Sequence, residues 1–252
     1  MESGYNFTVS TFEKVDGSVA KLGDIKPNEN VSFSGTDLQL LDAEGATDTI
    51  ELEGYGTVRA IFWYLPPADA TDGLEPGWYP ISDEDDPLFD YPQNDREIPF
   101  GQGFLMNCGD GEAGVTYSGA VANKDFEKEL DSGYNFTGNC SPVTVKLGDL
   151  TPNENLSFSG TDLQLLDAEG ATDTIELEGY GTVRAIFWYL PPADATDGLE
   201  PGWYPISDED DPLFDYPQND REIPAGQGFL MNCGDSNAVI TIPTALPTPV
   251  KE

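Results

Sequence analysis

Residues 57–65 read TVRAIFWYL, and the run of polarity along them decides the fold class. Thr57 to Ala60 alternate in the period-two pattern of a strand with one wet face. Around Phe62 and Trp63 the segment becomes apolar on both faces, as a central strand buried between layers does. The same nine residues return at 182–190, inside a block from Ser32 to Pro99 that recurs letter for letter as Ser157 to Pro224. A repeat spacing of 125 residues in a chain of 252 fits two ordinary domains better than one large one.

Outward from this strand the apolar signal stays short and punctuated. Copy one offers strands at Gly4–Val9, Val19–Leu22, Val31–Ser34, Leu38–Leu41, Thr49–Leu52, Thr57–Leu65, Gly103–Asn107 and Gly114–Tyr117. Gly, Pro, Asp and Asn separate them, and long helical stripes are missing. The reading is all-β, with tandem antiparallel β-sandwich modules favoured over a parallel α/β sheet and a barrel left open. Residues 1–121 form copy one, 122–132 (ANKDFEKELDS) a helical turn or charged connector, 133–246 copy two, and 247–252 a proline-rich tail. The stretch from Pro66 to Pro99 is expected as a large loop, because its prolines remove ladder donors.

Composition narrows the chemistry. A formal charge of −36, from 47 acidic and 11 basic residues, opposes nucleic acid and anionic membrane surfaces, which need countercharge. No apolar run is long enough to cross a bilayer, so direct membrane insertion is not expected. There is no histidine, which removes the usual general base and the commonest transition-metal ligand. A glycosidase-like carboxylate pair needs groups of contrasting proton affinity, which crowded acids do not supply. The chain reads as a non-enzyme.

The crowded acids suit a hard cation better. In SDEDDPLFD, Asp83, Asp85, Asp86 and Asp90, with their copies Asp208, Asp210, Asp211 and Asp215, supply oxygen ligands of the kind Ca2+ takes, although the spacing is not that of an EF-hand. Asp42, Glu44 and Asp48, repeated as Asp167, Glu169 and Asp173, form a weaker second set. Among the aromatics, Trp63 and Trp188 on the central strand read as core. Trp78, Tyr79, Trp203 and Tyr204, between glycine and proline in the loop, read as a surface platform for a sugar ring or partner. Arg59, Arg96, Arg184 and Arg221 read as pins for carboxylate-bearing segments.

Three cysteines leave the redox state open. A Cys140–Cys233 bond would join the first and last strand regions of copy two. A Cys108–Cys140 bond would staple the copies together, and three free thiols is the remaining reading. Asn6, Asn30, Asn135, Asn139 and Asn155 head N-x-S/T triplets, which matter only where glycosylation machinery exists.

The opening YNFTGNCSPVTVKLGDL and the ending IPAGQGFLMNC of copy two resemble a secreted β-sandwich module of surface and exported proteins from Bacteroidetes-like bacteria. Asn135, Gly138, Asn139 and Pro142 match its early GNP-x-P phrase, and Ile223, Gly226, Gln227, Gly228 and Phe229 its late GQGF phrase. Copy one keeps the second phrase and departs from the first, with Val9 and Ser10 in place of Gly138 and Asn139. The resemblance implies a secreted or cell-surface protein with a structural, adhesive or matrix role, and it brings no catalytic residues. The expected partners are further copies of the chain, other surface proteins or a polysaccharide. Calcium-dependent carbohydrate binding is the alternative to a purely structural role, and YNFTVST is the candidate strand for end-to-end assembly into filaments.

Overall fold

The computed structural model describes residues 5–11, 14, 16–27, 37–41, 50–52, 56–71, 73–80, 91–108, 114–116, 125–152, 162–166, 175–177, 181–196, 198–205 and 216–243. The described residues are all-β, with two single-turn 3-10 segments at Leu22–Asp24 and Leu147–Asp149 and no α-helix. None of their helical turns is long and apolar enough to cross a membrane. The chain divides into two compact units, Met1–Ala120 and Val121–Glu252.

Unit 1 contains β1 (Tyr5–Val9), β2 (Ala20–Lys21), β3 (Lys26–Pro27), β4 (Asp37–Leu41), β5 (Ile50–Leu52), β6 (Gly56–Leu65), β7 (Gly77–Pro80), β8 (Glu97–Ile98), β9 (Gly103–Asn107) and β10 (Val115–Thr116). Its main sheet runs in the order β1-β9-β4-β6-β5, with β7 also on β6, while β2 pairs β8 and β10 pairs β3. Unit 2 contains β11 (Phe126–Leu130), β12 (Tyr134–Gly138), β13 (Val145–Lys146), β14 (Thr151–Pro152), β15 (Asp162–Leu166), β16 (Ile175–Leu177), β17 (Gly181–Leu190), β18 (Gly202–Pro205), β19 (Glu222–Ile223), β20 (Gly228–Asn232) and β21 (Ala238–Ile242). Its main sheet repeats the pattern as β12-β20-β15-β17-β16 with β18 on β17, and β13 pairs β19. Among the described residues every pairing in both units is antiparallel.

Period-two alternation builds the core. On one face of the main sheet in unit 1, Leu38, Phe62, Tyr64, Phe104 and Met106 are buried and cluster with Leu22, Ile25 and Ile98 from the short elements beside it. Burying a residue of this size contributes about 1.5–3 kcal/mol. The other face is also covered in part, since Val9 and Leu105 are fully buried there. The TVRAIFWYL segment buries Phe62 on the core face, whereas Trp63 on the other face is exposed, so the strand is not covered on both faces at that point as its sequence suggests.

Two readings of the chain organisation change. Residues 126–130 are neither helical turn nor connector, because FEKEL forms β11 and pairs along its whole length with β21 inside unit 2. The proline-rich stretch after Pro66 also contains sheet: Gly77–Pro80 hydrogen-bonds to β6. Proline tolerates this place because Pro76 precedes the strand and Pro80 ends it. The segment YNFTV is already committed to its own sheet through five register pairs with β9, so donating it elsewhere would cost those pairs. Val31–Ser34 and residues 247–252 lie outside the described residues.

Candidate functional site

The sequence holds two tryptophan-tyrosine dipeptides per copy, and the register of one hairpin sorts them. Strands β6 and β7 pair Trp63 with Tyr79 and Tyr64 with Trp78, so each tryptophan sits across from the other dipeptide's tyrosine. Neighbours along a strand face opposite sides, and cross-strand partners share one. Tyr64 and Trp78 therefore lie on the core face, with ring centroids 5.0 Å apart, while Trp63 and Tyr79 lie on the other. Unit 2 repeats this with Tyr189 and Trp203 4.9 Å apart and Trp188 opposite Tyr204.

Trp78 and Trp203 are thus not surface residues. Both are fully buried, and their indole N–H groups donate to the carbonyls of Ile25 (3.0 Å) and Leu150 (3.1 Å). Tyr79 and Tyr204 are buried too, each hydroxyl donating to a carbonyl four residues back, Glu75 or Glu200, at 2.8 Å. The expected platform is core. Trp63 and Trp188, read from sequence as core, are the exposed pair at 37% and 36%. A central strand with two apolar faces does not reveal which face stays open.

The exposed tryptophans have company at register level. Across the sheet of unit 1 the partners of Trp63 run through Asp37 on β4, Asn107 on β9 and Tyr5 on β1. In unit 2 the row is Trp188, Asp162, Asn232 and Tyr134. One sheet row thus combines aromatic, amide and carboxylate residues, twice, in the same order. Sequence reading also missed Tyr91 and Tyr216, exposed at 65% and 66%. Their duplication in the exact repeat was the available signal.

One amide organises the buried side of the hairpin. Asn94 Oδ1 accepts from the Trp78 N–H at 3.1 Å, its Nδ2 donates to the Pro76 carbonyl at 3.2 Å, and its own carbonyl accepts from Gly23 N–H at 2.9 Å. Asn219 makes the same contacts to Trp203, Pro201 and Gly148. Beside Asn94 lies a pocket of about 320 Å³ lined by Tyr64, Trp78, Pro67, Pro76 and Lys26 among others. Burial raises the Tyr64 hydroxyl above its ordinary pKa.

The remaining candidates fall as follows. Asp83, Asp85, Asp86, Asp90, Asp208, Asp210, Asp211 and Asp215 lie outside the described residues, as do Asp42, Glu44, Asp48, Asp167, Glu169 and Asp173. Among the described residues no group of three or more His, Cys, Asp or Glu is placed to hold a metal. Arg96 lies over the Phe62 ring, 5.8 Å from its centroid. Lysines pin carboxylates, Lys21 to Asp95 and Lys146 to Asp220, each at 2.6 Å.

The Cys140–Cys233 bond is excluded by register. Asn139 pairs with Gln227 and Gly226 at one end of the β12–β20 ladder, and Cys233 donates to the Gly133 carbonyl at the other. The five-residue strand between them spans about 17 Å, whereas bridged Cα atoms lie within about 7 Å. Cys108, Cys140 and Cys233 are buried free thiols. Burial pushes the Cys140 thiol up to about 12, which keeps it protonated and inert.

Comparison with protein-family models, curated proteins and solved structures yields no match. The roles assigned to residues therefore rest on their geometry.

Proposed function

We propose that this chain is a non-catalytic, extracellular adhesive protein that holds a neutral polysaccharide through one repeated sheet face. The observation that carries the reading is the pair Trp63 and Trp188, exposed at the same place in both units beside the same register row. An exposed indole offers a flat apolar surface for the C–H face of a pyranose ring. The charge of −36 selects against uronate or sulfated polymers, hence the neutral ligand. Two sites on one chain raise avidity wherever both reach the same polymer. The packing of each unit as a β-sandwich, and the kinship with secreted bacterial surface modules, belong to this proposal.

The test is retention on a panel of neutral and anionic polysaccharides, run with Ca2+ and with a chelator. The parent is expected to be retained on a neutral polymer. Trp63→Ala or Trp188→Ala should weaken retention, and the double variant should abolish it while leaving the unfolding midpoint within a few degrees. A parent that binds no polymer, or a double variant that binds as well as the parent, would overturn the reading.

A further inference from the structure

Tyr64 and Trp63 are neighbours on β6 and face opposite sides of it, so the pocket lined by Tyr64 is separate from the Trp63 face. At about 320 Å³ it stands at the small end of the range of ligand pockets, about 300–1,000 Å³. Its lining is mainly apolar, with Ile25, Tyr64, Pro67 and Pro76 beside the fully buried Trp78. Among the described residues that line it, Lys26 alone is charged and none is acidic. In a chain with 47 acidic residues, an anion entering here meets a cation and no adjoining carboxylate.

Three polar groups of the lining have donor capacity to spare. Lys26 is exposed and, unlike Lys14 and Lys21, is in no ion pair among the described residues. Tyr64 is buried at 8% exposure, yet its hydroxyl makes no hydrogen bond among the described residues, whereas that of Tyr79 is given to the Glu75 carbonyl. The Tyr64 oxygen is not sealed in either: among the described residues the sealed polar side-chain atom without a partner is Ser10 Oγ. Asn94 Nδ2 carries two N–H groups and gives one to the Pro76 carbonyl. Among the lining positions unit 2 changes only Ile25, to Leu150, and Lys26, to Thr151. The cation is what sets the unit 1 pocket apart.

From these observations we infer that the unit 1 pocket is a binding site for a small aromatic carboxylate. Its ring takes the space among the tyrosine and proline side chains, and its carboxylate accepts from the Lys26 ammonium and the Tyr64 O–H at the polar end. Spare donors with no acid beside them favour an acceptor-rich anion over a neutral or cationic molecule of the same shape. Because Lys26 is exposed, water and salt weaken the pairing, and benzoate should bind with a Kd of the order of 1 mM.

Benzoate and its uncharged isostere benzamide, titrated into the 15N-labelled full chain and followed by amide chemical shifts, test this. Benzoate should give saturable shifts at Lys26, Gly77 and Asn94 but not at Thr151, Gly202 and Asn219, and benzamide should bind at least about threefold more weakly. Lys26→Thr, which installs the residue unit 2 carries at this strand position, should reduce benzoate to the level of benzamide. Tyr64→Phe keeps the ring and should weaken benzoate about threefold or more. Thr151→Lys should create a second benzoate site, read at Gly202 and Asn219. Absence of saturable shifts, equal binding of benzamide, benzoate binding indifferent to Lys26→Thr or to Tyr64→Phe, or a Thr151→Lys chain that gains no second site overturns the inference. Trp63→Ala should leave benzoate binding unchanged and Lys26→Thr should leave polysaccharide retention unchanged, so the two readings fail separately.

Discussion

Asn94 shows how much one side chain can decide. Its amide ties the start of β7 to the chain before it, and Gly77 leaves room for it: a Cβ at that glycine would collide with both amide heteroatoms. Gly77 also sits at φ +152°. Asn94→Ala is expected to destabilise unit 1 by about 1–3 kcal/mol, since Trp78 N–H and the Pro76 carbonyl lose their partner. Gly77→Ala should cost a similar amount or more in the parent but at least ~1 kcal/mol less in the Asn94→Ala background, where the obstacle is gone. Urea titration followed by tryptophan fluorescence measures the cycle, and strictly additive effects would refute the clip. At this scale the sequence was legible in kind but not in facing. It shows two Trp-Tyr dipeptides; only the pairing of Trp63 with Tyr79 tells which ring is buried.

Among the elements, the ends of β1 and β12 separate the copies most clearly. Asn139 is buried with its Nδ2 donating to the carbonyls of Val143, Ile223 and Pro224, and its Oδ1 accepts from Ser141 N–H. In unit 2 one amide thus ties the end of β12 to the turn before β20. A buried Asn139 is also no acceptor for glycosylation in the folded unit. Ser10 occupies the same ladder position in unit 1, bonded through its backbone to Gln102 and Gly101, but among the described residues its buried hydroxyl has no partner. Ser10→Asn, reaching the carbonyls of Ile98 and Pro99, should stabilise unit 1 by about 1–2 kcal/mol, and Asn139→Ser should destabilise unit 2 by at least ~2 kcal/mol. Calorimetry of the full chain checks both, and a Ser10→Asn variant that melts lower would show that unit 1 lacks the space. Sequence comparison located the mismatch; the carbonyls that give Asn139 its role converge only in the folded ladder.

Across the whole molecule, the repeat fixed the existence of two units while misplacing where the second begins. Self-similarity finds only what both copies share, and the blocks repeated letter for letter, Ser32–Pro99 and Ser157–Pro224, do not include β11. Its alternation, Phe126-Glu127-Lys128-Glu129-Leu130, has the period of a half-buried strand, but five charged-rich residues between two modules also describe a linker. Unit 2 therefore starts before the repeat does. The consequence is a test of the boundary: residues 121–252 should fold alone as a cooperative unit. Residues 131–252 contain the entire repeated copy but should be less stable by at least ~2 kcal/mol. Leu130 burial alone contributes about 1.5–3 kcal/mol, and the bonds of a five-pair ladder add to it. Both fragments should be compared at physiological salt or above, because self-repulsion in so acidic a chain otherwise obscures the difference. Equal stability of the two fragments would return residues 126–130 to the role of connector.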